Sequence, residues 1–375
     1  MTPPPCPHPS LGPSPGATSP APSTAHAARP RRRALLGAAL AAPLTATASA
    51  CSRSNGAMAS EEATSARPLV LRMAHNLGDK HPTSKAITAF TESLAECSEG
   101  RIVVDLYGGG QLGSEPAVLG QLTQGIIDLT RVGSPGLAGR HPGYHTFGLP
   151  YLFSSEEEMH QVMDSQVMRD FYLSTKDLGF VGLTHYSSGA RSFYTRSTPV
   201  RTPDDLAGLK LRVQDMASQT MLVETLGAAP VVMALGDTYT SLQTGLIDGA
   251  ESNETVLTES AHGEVAKVFS HTEHTRIPDL MLISADAWGR LSPEDQELLV
   301  TAASDSSRDH RVEWAKAIDG AVEKAKGMGV EFVDDVDLDA FQEATAPVRE
   351  RFAADYQEVA DLLTIIDSAR KESGA

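Results

Sequence analysis

Two arginines on short apolar segments are the residues of this chain best suited to chemistry. Arg191 lies in Ser-Gly-Ala-Arg-Ser-Phe-Tyr, and Arg212 in Gly-Leu-Lys-Leu-Arg-Val. A guanidinium among hydrophobic residues needs an anion, because burying a lone charge is expensive. Its planar fork grips a carboxylate through two parallel charge-assisted hydrogen bonds, which lysine cannot imitate. For one such arginine, an internal salt bridge is the default expectation. For two on neighbouring strands, followed by the polar turn Asp248–Asn253, the expectation is a site for a small carboxylate.

Other motifs point less firmly to chemistry. Gly108-Gly109-Gly110-Gln111-Leu112-Gly113 matches G-x-G-x-x-G between a strand and a helix, with Asp128 following twenty residues after Gly108. That pattern keeps an NAD-dependent oxidoreductase as the rival reading. Against it, the first strand is followed by no glycine loop, and export of an enzyme with a cytosolic cofactor is incongruous. A glycine turn that delivers Glu115 to a ligand fits better. His271-Thr-Glu-His274, with His262 nearby, matches no strong zinc spacing and reads as surface or core histidine. Cys97, flanked by acidic residues, reads as an inert helix position. No nucleophile motif is present, so the expectation is a protein without enzymatic activity and without a cofactor.

The elements that must hold these side chains alternate strand and helix, as in an α/β fold. Strands are predicted at 69–74, 102–107, 126–132, 180–185, 192–195, 210–213, 230–233, 280–284 and 330–333. Helices are expected at about 83–98, 114–124, 155–173, 216–226 and 236–245. From Pro293 to Gly327 the only interior glycine is Gly320. One helix there is ~50 Å long at 1.5 Å per residue, enough to brace two domains. The alternative is two helices broken around Ser304–Ser307.

The ends and the charge balance narrow the class. Residues 1–30 hold ten of the 23 prolines and no acidic residue, the composition of a disordered extension. Arg31-Arg32-Arg33, an apolar run from Ala34 to Ala50 and Cys51 then describe an export signal. Arg32-Arg33-Ala34-Leu35-Leu36 resembles a twin-arginine motif. Ala48-Ser49-Ala50-Cys51 resembles a lipoprotein box, so Cys51 is expected to carry lipid, with ordinary cleavage near Ala50 as the alternative. A lipidated Cys51 leaves no partner for an intramolecular disulfide. Beyond the signal the chain carries 27 basic and 48 acidic side chains, a net of −21. That excludes nucleic acid as a partner, since phosphate binding needs a basic footprint.

On these residues the chain resembles the extracytoplasmic solute-binding proteins of TRAP (tripartite ATP-independent periplasmic) transporters, the DctP-type family. The similarity runs from about Leu69 to Ser306. It includes His81-Pro82, Gly109–Glu115, Gly148–Phe153, Gly208–Val213 and Leu242–Gly249. The resemblance implies a two-lobe periplasmic-binding-protein-like fold with hinge-crossing strands and one long helix spanning both lobes. It divides the chain into an export signal (1–50), a tether (51–67), lobe I (68–188), lobe II (189–276), a return to lobe I (277–316) and C-terminal helices on lobe II (317–375). It makes Arg212 the principal carboxylate ligand, Arg191 its assistant and Glu115 an acidic ligand contact. His75 or Asn76 matches the polar contact after the first strand. Ser252 stands where the family usually has asparagine, and Asn253 is the candidate to replace that hydrogen bond. Within the family the motifs look most like members that bind sugar acids such as glucuronate and galacturonate, with C4-dicarboxylate receptors as the alternative. The implied partners are a small carboxylate, the TRAP permease subunits and the membrane through a lipid anchor, for a monomer outside the cytoplasm. A receptor that signals to a sensor instead of feeding a permease is a further reading.

Overall fold

The computed structural model describes Thr64 and residues 67–373. The expected signal, the twin-arginine-like motif, Cys51 and nearly all of the tether lie outside the described residues. Among the described residues, eleven strands form two mixed sheets. They are β1 (Leu69–Ala74), β2 (Ile102–Tyr107), β3 (Leu129–Gly133), β4 (Phe180–Tyr186), β5 (Ala190–Thr195), β6 (Lys210–Val213), β7 (Ala229–Val232), β8 (Gly249–Ser252), β9 (Val268–Arg276), β10 (Asp279–Ser284) and β11 (Glu331–Val333). The first sheet has the order β2-β1-β3-β10-β4 and the second β11-β9-β5-β8-β6-β7.

Two of the chain's passages between the sheets are very short links, and the third is the long helix between β10 and β11. Ser187–Gly189 joins β4 to β5, and Ile277–Pro278 returns β9 to β10. The two passages run side by side, because Ala190 pairs with Arg276 and Tyr186 with Asp279. Ser188 Oγ donates to Ile277 O at 2.6 Å and ties one link to the other. Gly189 has φ +71°, a conformation that favours glycine. Each lobe therefore owns a sheet, and two linked strands connect them.

The long helix Pro293–Gly327 is continuous. Ser292 caps it, accepting from Asp295 N at 3.1 Å, and proline follows at the first turn. Leu299, Ala302 and Ala303 pack into the core under β1 and β4, whereas Ala325 packs with Phe269 of β9. The serines at its centre do not break it. Ser306 Oγ meets the Tyr186 hydroxyl at 2.8 Å, and Ser307 Oγ donates to His185 O at 2.5 Å. Ser307 thus satisfies the backbone of β4, while Ser306 also donates back to Ala303 O at 2.8 Å without breaking the helix.

Four features depart from the expectations. Gly249–Ser252, read as part of a polar turn, is a fully buried strand inside the second sheet. The histidine-bearing stretch Val268–Arg276 is a nine-residue, mostly buried strand rather than a loop. The final helices do not both sit on lobe II. Phe341 joins the lobe II core with Leu211 and Val213. Val348, Phe352, Val359, Leu362 and Ile366 instead fill the lobe I core around Phe147 and Phe180. The final helix, Gln357–Ser373, covers apolar surface that helices Glu156–Met163 and Gln166–Ser174 leave open. Cys97, expected to be an inert helix position, is disulfide-bonded.

Candidate ligand-binding site

A cavity of about 520 Å³ lies between the lobes. Residues from both sheets line it, with the hinge residues Ser188 and Ile277 and Trp314 of the long helix. Arg212, Arg191, Glu115, Asn76, Ser252 and Asn253 all reach it. The structure thus gathers six of the seven predicted ligand residues. His75 is the exception. It is buried beneath the Gly108 turn, its Nδ1 accepting from Leu77 N at 3.3 Å. The choice between His75 and Asn76 falls to Asn76.

The two arginines differ in their partners. Arg191 does not wait for a guest. Its Nε and Nη2 hold the two carboxylate oxygens of Glu251 at 2.5 and 2.8 Å, and Nη2 also donates to Glu251 O at 2.8 Å. The reason is topological: β8 lies between β5 and β6, so the intervening strand supplies the anion. Burial alone acts to raise the Glu251 pKa. Arg191 and His274, whose Nε2 stands 3.6 Å from the carboxylate, override burial and hold it down at about 2. Burial likewise acts to lower Arg191, but Glu251 more than offsets it.

Arg212 is 5 % exposed and holds no carboxylate. Its Nε donates to Met233 O at 3.1 Å, which fixes the side chain. Its two Nη groups have no protein partner among the described residues, and the side chain lines the cavity. Burial lowers its pKa, Glu251 does not fully compensate, and Arg191 lowers it further. An anion arriving at this fork relieves that deficit.

Glu115 is delivered as expected. Ser114 occupies the cap position, and Glu115 with Pro116 opens the helix Glu115–Thr123. The glycine turn before it is stitched to the loop after β1, since Gly109 N donates to Leu77 O and Gly110 N to His75 O. Both glycines have positive φ. The Glu115 carboxylate accepts from Arg131 Nη1 at 2.9 Å and from Gly133 N at 3.1 Å. Arg131 also bonds Asp279 through Nη2. Sequence reasoning missed both residues, because Arg131 stands in a short strand with no flanking motif. Burial raises the Glu115 pKa despite Arg131.

Asn253 lines the cavity, but its amide is occupied. Oδ1 accepts from Val256 N at 2.9 Å as a helix cap, and Nδ2 donates to Ser188 O at 2.6 Å. It ties lobe II to the hinge. The dinucleotide reading loses its acidic residue in the same way. Asp128 accepts from Arg72 N at 2.8 Å and bonds Arg290, both within lobe I.

Two α/β lobes, a double hinge, a bracing helix and a polar cavity with one open guanidinium define a solute receptor. The chain belongs to family 7 of the bacterial extracellular solute-binding proteins, the DctP family, whose description matches residues 73–355. It is a TRAP-type solute-binding protein. Among curated relatives, the uncharacterized protein YiiZ of Salmonella typhimurium is 39 % identical over 282 residues, 74 % of this chain and 85 % of the relative. The 2,3-diketo-L-gulonate-binding periplasmic protein YiaO of Escherichia coli is 30 % identical over 301 residues, 80 % of this chain and 92 % of the relative. Among solved structures, a TRAP periplasmic solute-binding protein from Chromohalobacter salexigens with bound D-glucuronate matches at TM-score 0.75 and 31 % identity, covering 80 % of this chain and 99 % of that one. One from Sulfitobacter with bound β-D-galacturonate matches at TM-score 0.73 and 32 % identity, again covering 80 % and 99 %.

Proposed function

We propose that this receptor captures a hexuronate such as D-glucuronate or D-galacturonate by closing its lobes, and hands it to a TRAP permease. The observation that carries the reading is the open fork of Arg212 in the cavity, opposite an acidic lobe I wall. In this reading Arg212 takes the carboxylate, Arg191 shapes the site through Glu251, and Glu115, Asn76 and Ser252 read hydroxyls. A C4-dicarboxylate fits less well. Its second carboxylate needs another free cation, and Arg131 already serves two carboxylates, Glu115 and Asp279. The uronates bound by the two solved neighbours support the same choice.

In the same reading the chain is exported and anchored by lipid at Cys51, which the Arg31–Cys51 signal pattern supports. Intact-mass analysis of the membrane-extracted protein tests the lipid on Cys51, which adds the mass of a thioether-linked diacylglycerol to the cleaved chain.

The function is tested by thermal shift of the purified receptor against uronates, aldonates and dicarboxylates. A uronate at 100 times its dissociation constant stabilises by about 2.7 kcal/mol. Response to succinate or malate, with none to any uronate, overturns the choice of solute.

A further inference from the structure

One cavity residue, His81, was not nominated by the site motifs. It precedes Pro82 at the start of helix Pro82–Cys97 and acts as its cap, Nδ1 accepting from Thr83 N at 3.2 Å. An imidazole nitrogen that accepts from an N–H carries no proton, so in the neutral ring the proton sits on Nε2. Nε2 has no partner among the described residues and, unlike the buried orphan nitrogens of His75 and His310, is accessible. His81 lines the cavity.

Resting on the uronate reading, we propose that His81 is a specificity-determining residue that donates a hydrogen bond from Nε2 to an oxygen of the bound solute. The solute then needs an acceptor oxygen on the lobe I side, besides hydroxyls for Glu115 and a carboxylate for Arg212. A polyhydroxylated acid meets all three demands.

The ring is held in place from two sides. Trp314 packs against it with centroids 5.8 Å apart, and His310 stacks on Trp314 at 5.5 Å. His310 Nε2 in turn meets Thr83 Oγ1 at 3.1 Å, closing the circuit back to the helix that His81 caps. The donor is therefore preorganised, which lowers the entropic cost of binding. Neutrality is secured as well. Burial lowers the His81 pKa to about 4, with Asp279 raising it and Arg131 and His75 lowering it.

The test uses His81→Asn, since asparagine also caps helices well but has no nitrogen at the Nε2 position. D-glucuronate titrated into the wild-type receptor, His81→Asn and Arg212→Ala separates the possibilities. The expected result is affinity about tenfold or more weaker in His81→Asn, consistent with leaving a buried acceptor unpaired, at an unchanged ligand-free Tm. In parallel, the imidazole Nε2–H resonance of wild-type His81 shifts on saturation. An unmoved resonance, or equal affinity in the variant, overturns the role of His81 while leaving the uronate reading intact. Absence of binding by wild type overturns the uronate reading first.

Discussion

Arg191 and Arg212 are both at least nine-tenths buried, lie in one sheet and flank the same strand, yet they are partnered in opposite ways. Arg191 is matched by Glu251 through a full fork, whereas Arg212 spends one N–H on a carbonyl and leaves the rest to the cavity. The difference shows that a buried guanidinium marks a ligand site only where the protein withholds an internal anion. The strand between them decides which one is structural.

The comparison breaks first at the internal pair. Removing one partner of a buried ion pair costs about 3–5 kcal/mol. Glu251→Gln should therefore lower the stability of the ligand-free protein by that order, read by chemical denaturation. Its pH dependence has a definite sign. Glu251 sits at about 2 in the folded protein, below its ordinary 4.5. Its contribution is present above about pH 4.5 and is lost as pH falls toward 2. In Glu251→Gln the acid limb of the stability curve flattens; an unchanged limb contradicts the assignment.

Arg212→Ala should do the reverse, with ligand-free stability nearly preserved and uronate affinity reduced by about 2–5 kcal/mol, read by titration calorimetry. Arg212→Lys should recover little, because an ammonium cannot present two parallel donors. Glu115→Gln keeps the shape and loses charge. Its expected cost is about 1–3 kcal/mol of uronate binding, with a loosened Arg131 visible as raised protease sensitivity of lobe I. The smallest effect is expected at Ser252→Ala, about 0.5–1.5 kcal/mol of affinity, the worth of one hydrogen bond.

Much of this was legible in the sequence. The strand–helix alternation and the unbroken 293–327 helix follow from local signals such as Ser292-Pro293 and the absence of interior proline, whereas the crossing near Ser187–Gly189 was implied only by the family resemblance. Strand β8 was not, because Gly-Ala-Glu-Ser has the composition of a turn and is extended only through pairing with β5 and β6. That omission also hid Glu251 as the partner of Arg191. Arg131, Asp279 and the occupied amide of Asn253 depend on long-range contacts that spacing does not report. Arg212 was identified from its apolar strand alone, but its open fork required the fold.

The most direct measurement is a crystal structure of the receptor with D-glucuronate. The account predicts the carboxylate held by both Nη groups of Arg212, with Arg191 still paired to Glu251. A carboxylate on Arg191 with Glu251 displaced, or a solute that leaves Arg212 untouched, contradicts it.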